Sequence, residues 1–246
     1  QLGPFDYWPS GQGFQHFYGF LNYDAHQFSP LMWRDHTPVN RGTRPRGYHL
    51  TADIADQAVQ WIQAQNGIDP DRPFFMYWST GAVHAPHHAP QEYIDKYRGK
   101  FDMGWNGARE RILTRQKELG LFPRDAQLPA WPDNVPEWDN LEPNQQRMAA
   151  RAMEVFAAML EHTDIEFGRI IDALKSTGQL DNTVIVVVSD NGASAEGGLA
   201  GSFNELLMGQ VDWNDNLRHF DEWGGPKTYA HYPVGWAAAG NTPFKY

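Results

Sequence analysis

Thr183-Val184-Ile185-Val186-Val187-Val188-Ser189-Asp190-Asn191-Gly192 decides how the rest of the chain is read. From Val184 to Val188 every residue is apolar and β-branched, the pattern of a strand buried on both faces of a parallel sheet. The run stops abruptly on Asp190, Asn191 and Gly192. Open α/β sheets bind ligands beyond the carboxyl ends of their strands. A carboxylate and an amide oxygen therefore stand where such folds place chemistry. Both are hard donors suited to Ca²⁺ or Mg²⁺, and Gly192 lets the backbone turn away at once. The plainer alternative, on pattern alone, is an ordinary Asp-Asn-Gly turn after a strand.

Upstream, Gln145 to Ser176 places Met148, Val155, Met159, His162, Ile170 and Leu174 roughly on one face. This predicts a long helix with a core-facing methionine stripe, ended by Gly178. Earlier still, Phe74-Phe75-Met76-Tyr77-Trp78-Ser79 reads as a second short apolar strand. It follows a helix that Thr51 or Asp53 can cap and that runs through Ile54, Ala58, Trp61 and Ile62 to a stop at Asn66-Gly67. Helix, strand, helix, strand is the alternation of an α/β fold, here a mostly parallel sheet flanked by helices.

The strand at Phe74–Ser79 opens into Gly81-Ala82-Val83-His84-Ala85-Pro86-His87-His88-Ala89-Pro90, three histidines among helix breakers. On residues alone, His84, His87 and His88 suggest zinc. The prolines make joint ligation awkward, however, and zinc sets need further His, Cys or carboxylate partners. Gln91 to Arg98 is a short helix, and Arg109, Arg111, Arg115 and Lys117 form a basic helical face read as solvated. Residues 121–145, rich in proline, are a long surface loop. Residues 1–50 are loop-rich and packed by aromatics. Their His16, His26, His36 and His49 are read as structural or surface, since no metal-ligand spacing links them. There is no internal repeat and no clear linker, so a single domain is expected.

At 246 residues with 41% hydrophobic content the chain can bury a real core. A net charge of -10 argues against nucleic acid or an anionic membrane as partner. Any anion site must be locally positive or made so by a metal. Ten tryptophans suit pockets for organic ligands as well as core. No cysteine is present, which excludes disulfides and thiolate metal sites. No stretch is long and apolar enough to span a membrane. The chain opens on Gln1 rather than Met, so it is expected to be a piece of a longer protein or a processed chain. A periplasmic or secreted setting is favoured over the cytoplasm.

Several segments carry a specific resemblance. They are Leu180-Asp181-Asn182-Thr183 with Ser189-Asp190-Asn191-Gly192-Ala193, then Trp8-Pro9-x-Gly11-x-Gly13-Phe14 and Phe17-Tyr18-Gly19-Phe20. Tyr97-x-Gly99-Lys100-Phe101-Asp102-x-Gly104-Trp105, Arg109-x-x-Ile112 and Asn241-Thr242-Pro243-Phe244 complete the set. Together they resemble the sulfatase family, specifically its arylsulfatases, over nearly the whole chain. The resemblance implies an alkaline-phosphatase-like α/β fold, present here as the central portion of one catalytic domain. It implies hydrolysis of sulfate monoesters of small molecules or carbohydrates, with a formylglycine nucleophile made from Cys or Ser in a C/S-x-P-x-R signature. It also implies one Ca²⁺, ligated in part by Asp190 and Asn191, and a sulfate contact from His84 in the same cleft. His87 and His88 match no catalytic position and are left as loop or substrate-facing residues.

No Cys is present and no Ser stands in an S-x-P-x-R setting. The remaining calcium ligands, the nucleophile and a later catalytic Lys are expected outside residues 1–246, and the chain alone is expected to be inactive. The alternatives are a phosphatase or phosphodiesterase of the same superfamily and a non-catalytic half that binds an anion or a partner. That partner could be the rest of the sulfatase domain. Asn191, where those phosphatase relatives favour a second-metal ligand such as His, points to one hard metal and to sulfatases.

Overall fold

The computed structural model describes residues 3–40, 42 and 44–244. The chain divides into two compact units, Gln1–His84 with Leu160–Ile185 and Ala85–Met159 with Val186–Tyr246.

In the first unit, the aromatic N-terminal segment forms a small antiparallel sheet of β1 (Tyr18–Gly19), β2 (Trp33–Arg34) and β3 (Thr37–Pro38), paired in that order. Tyr18 faces Arg34 and Trp33 faces Pro38. Asp35, at a φ of 51°, makes the tight turn between β2 and β3, a conformation Asp tolerates better than most residues. Helix α1 (Leu50–Ile68) is capped by His49, whose Nδ1 accepts from the Thr51 N–H. The expected caps, Thr51 and Asp53, lie inside the first turn instead. The Asp53 carboxylate accepts hydrogen bonds from the hydroxyls of Tyr18 at 2.7 Å and Tyr48 at 2.8 Å. The helix also passes through Asn66-Gly67 to Ile68.

Ala55, Ala58 and Ile62 of α1 bury against Ile170, Ala173 and Leu174 of helix α4 (Pro143–Ser176). This face of α4 is the one its periodicity predicted, and Met148, Val155, Met159 and His162 are buried as well. Phe74, Met76 and Trp78 pack on the same cluster, while Phe75 and Tyr77 are exposed. The segment thus alternates in and out with the period of a strand. It has no ladder partner among the described residues.

The second apolar run departs further from expectation. Val184, Val186, Val187 and Val188 are 74% to 90% exposed, and no strand is formed between Thr183 and Ser189. Among the described residues no parallel pairing of these two runs is formed, and the sheet present there is antiparallel. The reason is physical. β-branched residues favour extended backbone, but a strand exists only where a neighbour takes up its N–H and C=O groups. Among the described residues neither apolar segment has such a neighbour.

The second unit is helical. It contains α2 (Gln91–Lys96), α3 (Gly104–Glu118), α5 (Trp213–Arg218) and α6 (Val234–Gly240), with the first half of α4. Its core is a cluster of Trp105, Trp138 and Trp236, ring centroids 5.0 to 5.9 Å apart. Buried indoles need partners for their N–H groups. Trp105 donates to the Pro136 carbonyl at 3.1 Å and Trp236 to that of Ala149 at 2.7 Å. Gly235 lets α6 approach this cluster, since a Cβ there would lie 2.3 Å from the Trp105 ring. The basic face of α3 is not wholly solvated. Arg109 is buried, donates to the Pro129 carbonyl at 2.9 Å and lies 5.5 Å from the Trp131 ring, and burial lowers its pKa.

Candidate functional site

Asp190 and Asn191 lie in the second unit, exposed, at the bend that ends the apolar run. The Ser189 hydroxyl donates to the Asn191 carbonyl at 2.8 Å and tightens the bend. The backbone just beyond is fastened from two sides. Asn241, which follows α6, accepts the Ala193 N–H on Oδ1 at 2.9 Å and donates from Nδ2 to the Ala193 carbonyl at 3.0 Å. Gly192 makes room for this amide, because a Cβ there would stand 2.2 Å from Asn241 Oδ1.

The second fastening is His231, which is buried, with Nε2 3.2 Å from the Ser194 hydroxyl and Nδ1 3.0 Å from the Tyr232 carbonyl. The carbonyl can only accept, so Nδ1 carries a proton and donates it. Burial pushes the Tyr232 hydroxyl up to about 12, opposed by the Ser194 backbone hydrogen bond. The segment 192–201 then passes so close to Tyr232 that a Cβ at Gly197 would lie 2.1 Å from its carbonyl oxygen.

The strand-end residues offer two side-chain oxygens, against the six to eight that Ca²⁺ takes. Among the described residues no group of three or more His, Asp or Glu is placed to hold a metal. Asp190 and Asn191 have the right donor chemistry for Ca²⁺ but do not make a calcium site by themselves.

His84 belongs to the first unit, is exposed, and meets the Tyr23 ring edge-on at 6.3 Å. His87 and His88 belong to the second; of the two readings open to them, loop or substrate-facing, they are loop residues, and both are buried. His87 packs among Phe156, His231 and Tyr232, with centroids 4.9 to 5.2 Å away. The His88 Nε2 pairs with the Thr228 carbonyl at 2.6 Å. Two histidines so occupied serve the core rather than zinc. Sequence reading missed the roles of Asn241 and His231. Asn241 stands in the Asn241-Thr242-Pro243-Phe244 motif, but its partner lies 48 positions away and no local period links the two.

The profile of the family described as Sulfatase matches residues 3–231. An uncharacterized sulfatase of Schizosaccharomyces pombe is 31% identical, over 97% of this chain and 45% of that protein. An arylsulfatase of Klebsiella aerogenes is 30% identical, over 96% of this chain and 51% of its own length. An N-acetylglucosamine-6-O-sulfatase of Bacteroides thetaiotaomicron is 24% identical, over 90% of this chain and 44% of that one. The chain spans about half the length of these curated relatives.

Proposed function

We propose, from the premise that this chain belongs to the sulfatase family, that the protein it forms part of hydrolyses sulfate monoesters. The observation that carries the reading is the family match over residues 3–231, which takes in both His84 and the Asp190-Asn191 bend. An alkaline-phosphatase-like α/β fold goes with that family. Nucleophilic attack on an anionic ester needs positive charge placed in advance. In this reading Asp190 and Asn191 contribute two oxygens to one Ca²⁺, whose charge would offset that of the sulfate. His84 contacts the ester and donates a proton to the departing oxygen, a role imidazole fills near neutral pH.

The 246 residues contain no Cys and no Ser in an S-x-P-x-R setting, so they carry no precursor of a formylglycine nucleophile. We infer that residues 1–246 alone turn over no sulfate ester. The Bacteroides relative is named for a sulfated amino sugar, which supports carbohydrate sulfates beside aryl sulfates as substrates. The test is to assay the whole protein with Ca²⁺ on an aryl sulfate, a sugar sulfate and an aryl phosphate. Release of sulfate is expected. Phosphate release without sulfate release would replace this reading by the phosphatase one.

A further inference from the structure

The second unit holds a cavity of about 630 Å³, well within the size range of small-ligand sites. One wall is a stripe of α4 made by Gln146, Arg147, Ala150, Arg151 and Glu154. Arg98, Gly99, Asp102, Phe220 and Asp221 contribute the rest of the polar and aromatic lining.

The donors and acceptors on this wall do not balance. Both oxygens of the buried Glu154 are engaged, Oε1 by the Gly99 N–H at 2.8 Å and Oε2 by Arg151 Nη1 at 3.3 Å. Arg151 is buried, and its Nε has no acceptor among the described residues. One helical turn away, the Arg147 guanidinium lies 4.0 Å from the Phe220 ring centroid, with that of Arg151 at 5.8 Å. An aromatic face attracts a cation but accepts none of its in-plane N–H groups. Arg147 pairs with no carboxylate among the described residues. Of the two guanidinium groups only that of Arg151 is paired with a carboxylate, and the spare N–H donors of both suit an oxyanion.

A bare anion would leave most of the volume empty and would face Asp102 and Asp221. Those carboxylates, and the amides of Gln91 and Gln146 on the same lining, are acceptors and donors for hydroxyl groups. We propose that this cavity binds an acidic saccharide, with its sulfate or carboxylate group on Arg147 and Arg151 and its hydroxyls on Asp102 and Asp221. The inference deepens the sulfate-ester reading and rests on it only for the choice of sulfated probes.

The test is calorimetric titration of the whole protein with N-acetylglucosamine 6-sulfate, glucuronic acid, N-acetylglucosamine and inorganic sulfate. At least one sugar acid should bind more tightly than the neutral sugar, and which one it is identifies the anionic group. Arg147→Gln, at an exposed position, should weaken that binding at least tenfold while hydrolysis of a small aryl sulfate stays unchanged. Asp221→Asn should weaken the sugar acid but not inorganic sulfate. Native affinity in Arg147→Gln, or equal binding of the neutral sugar, would overturn the proposal. If no variant hydrolyses any sulfate ester, the sulfatase reading fails while the titration still decides the cavity.

Discussion

The side chain of Asn241 grips both backbone groups of Ala193, accepting its N–H at 2.9 Å and donating to its C=O at 3.0 Å. No other single side chain described here holds the segment after Asp190 and Asn191 at two points on one residue. Each such bond contributes about 0.5–1.5 kcal/mol net. Asn241→Ala should therefore lower the stability of this unit by roughly 1–3 kcal/mol. Asn241→Asp keeps the acceptor and loses the donor, so it should fall between the two. Denaturant unfolding followed by tryptophan fluorescence reads the difference, and an Ala variant as stable as the parent would refute the grip.

Gly192 and Asn241 form a second, coupled pair. A Cβ at position 192 would stand 2.2 Å from Asn241 Oδ1, so Gly192→Ala must push the amide off Ala193. The cost of Gly192→Ala should then be large in the native background and small once Asn241 is Ala. A double-mutant cycle measures this directly. Additive effects would mean that position 192 is strained for a different reason.

Tyr232 gives a pH dependence with a definite sign. Burial pushes its hydroxyl up to about 12, while in the unfolded chain it ionises near about 10. Between these values the native state keeps a proton that the unfolded state has lost. Stability is then fully present below the unfolded value and falls as pH rises toward the folded one. Tyr232→Phe should remove this part of the alkaline loss. An identical pH profile in the variant would assign the loss to other groups.

The helices were legible because their signals are local. The faces of α1 and α4 repeat every three to four residues, and the residues so marked are buried apart from the half-buried Trp61. The strands were not, for the opposite reason. Two-residue strands such as β1, β2 and β3 carry no period at all. Phe74–Ser79 shows the strand's alternation of burial, but pairing depends on a neighbour that its own sequence does not specify. At the site, Asp190 and Asn191 announced themselves by ending an apolar run. Asn241 and His231 did not, because they act across distances of 48 and 37 positions.

His84 and Asp190 carry the chemical predictions. In the whole protein, His84→Ala should lower turnover by roughly 10²–10⁴ on a poor leaving group, the range expected for loss of a general acid. The deficit should shrink on an activated aryl sulfate, whose leaving group needs no proton. Asp190→Ala should weaken Ca²⁺ binding, read by titration independently of turnover. Equal losses on both substrates would remove proton donation from the role of His84.

The last prediction concerns the exposed valines. Val184, Val186, Val187 and Val188 present apolar, β-branched surface with no ladder partner among the described residues, and Phe75 and Tyr77 add more. Such a segment pairs readily with any exposed strand edge, including that of a second copy. Residues 1–246 expressed alone should therefore aggregate, and Val186→Lys should improve their solubility by placing a charge on the run. In the whole protein the same substitution should have the opposite sign if neighbouring strands bury the segment. A lysine would then be forced into a sheet buried on both faces, at a cost of several kcal/mol. Solubility of the isolated chain and the unfolding midpoint of the whole protein separate the two effects. A soluble 246-residue chain with a sharp cooperative melt, unchanged by Val186→Lys, would show that the run is a stable surface of its own and would favour an independent binding module over a portion of a larger sheet.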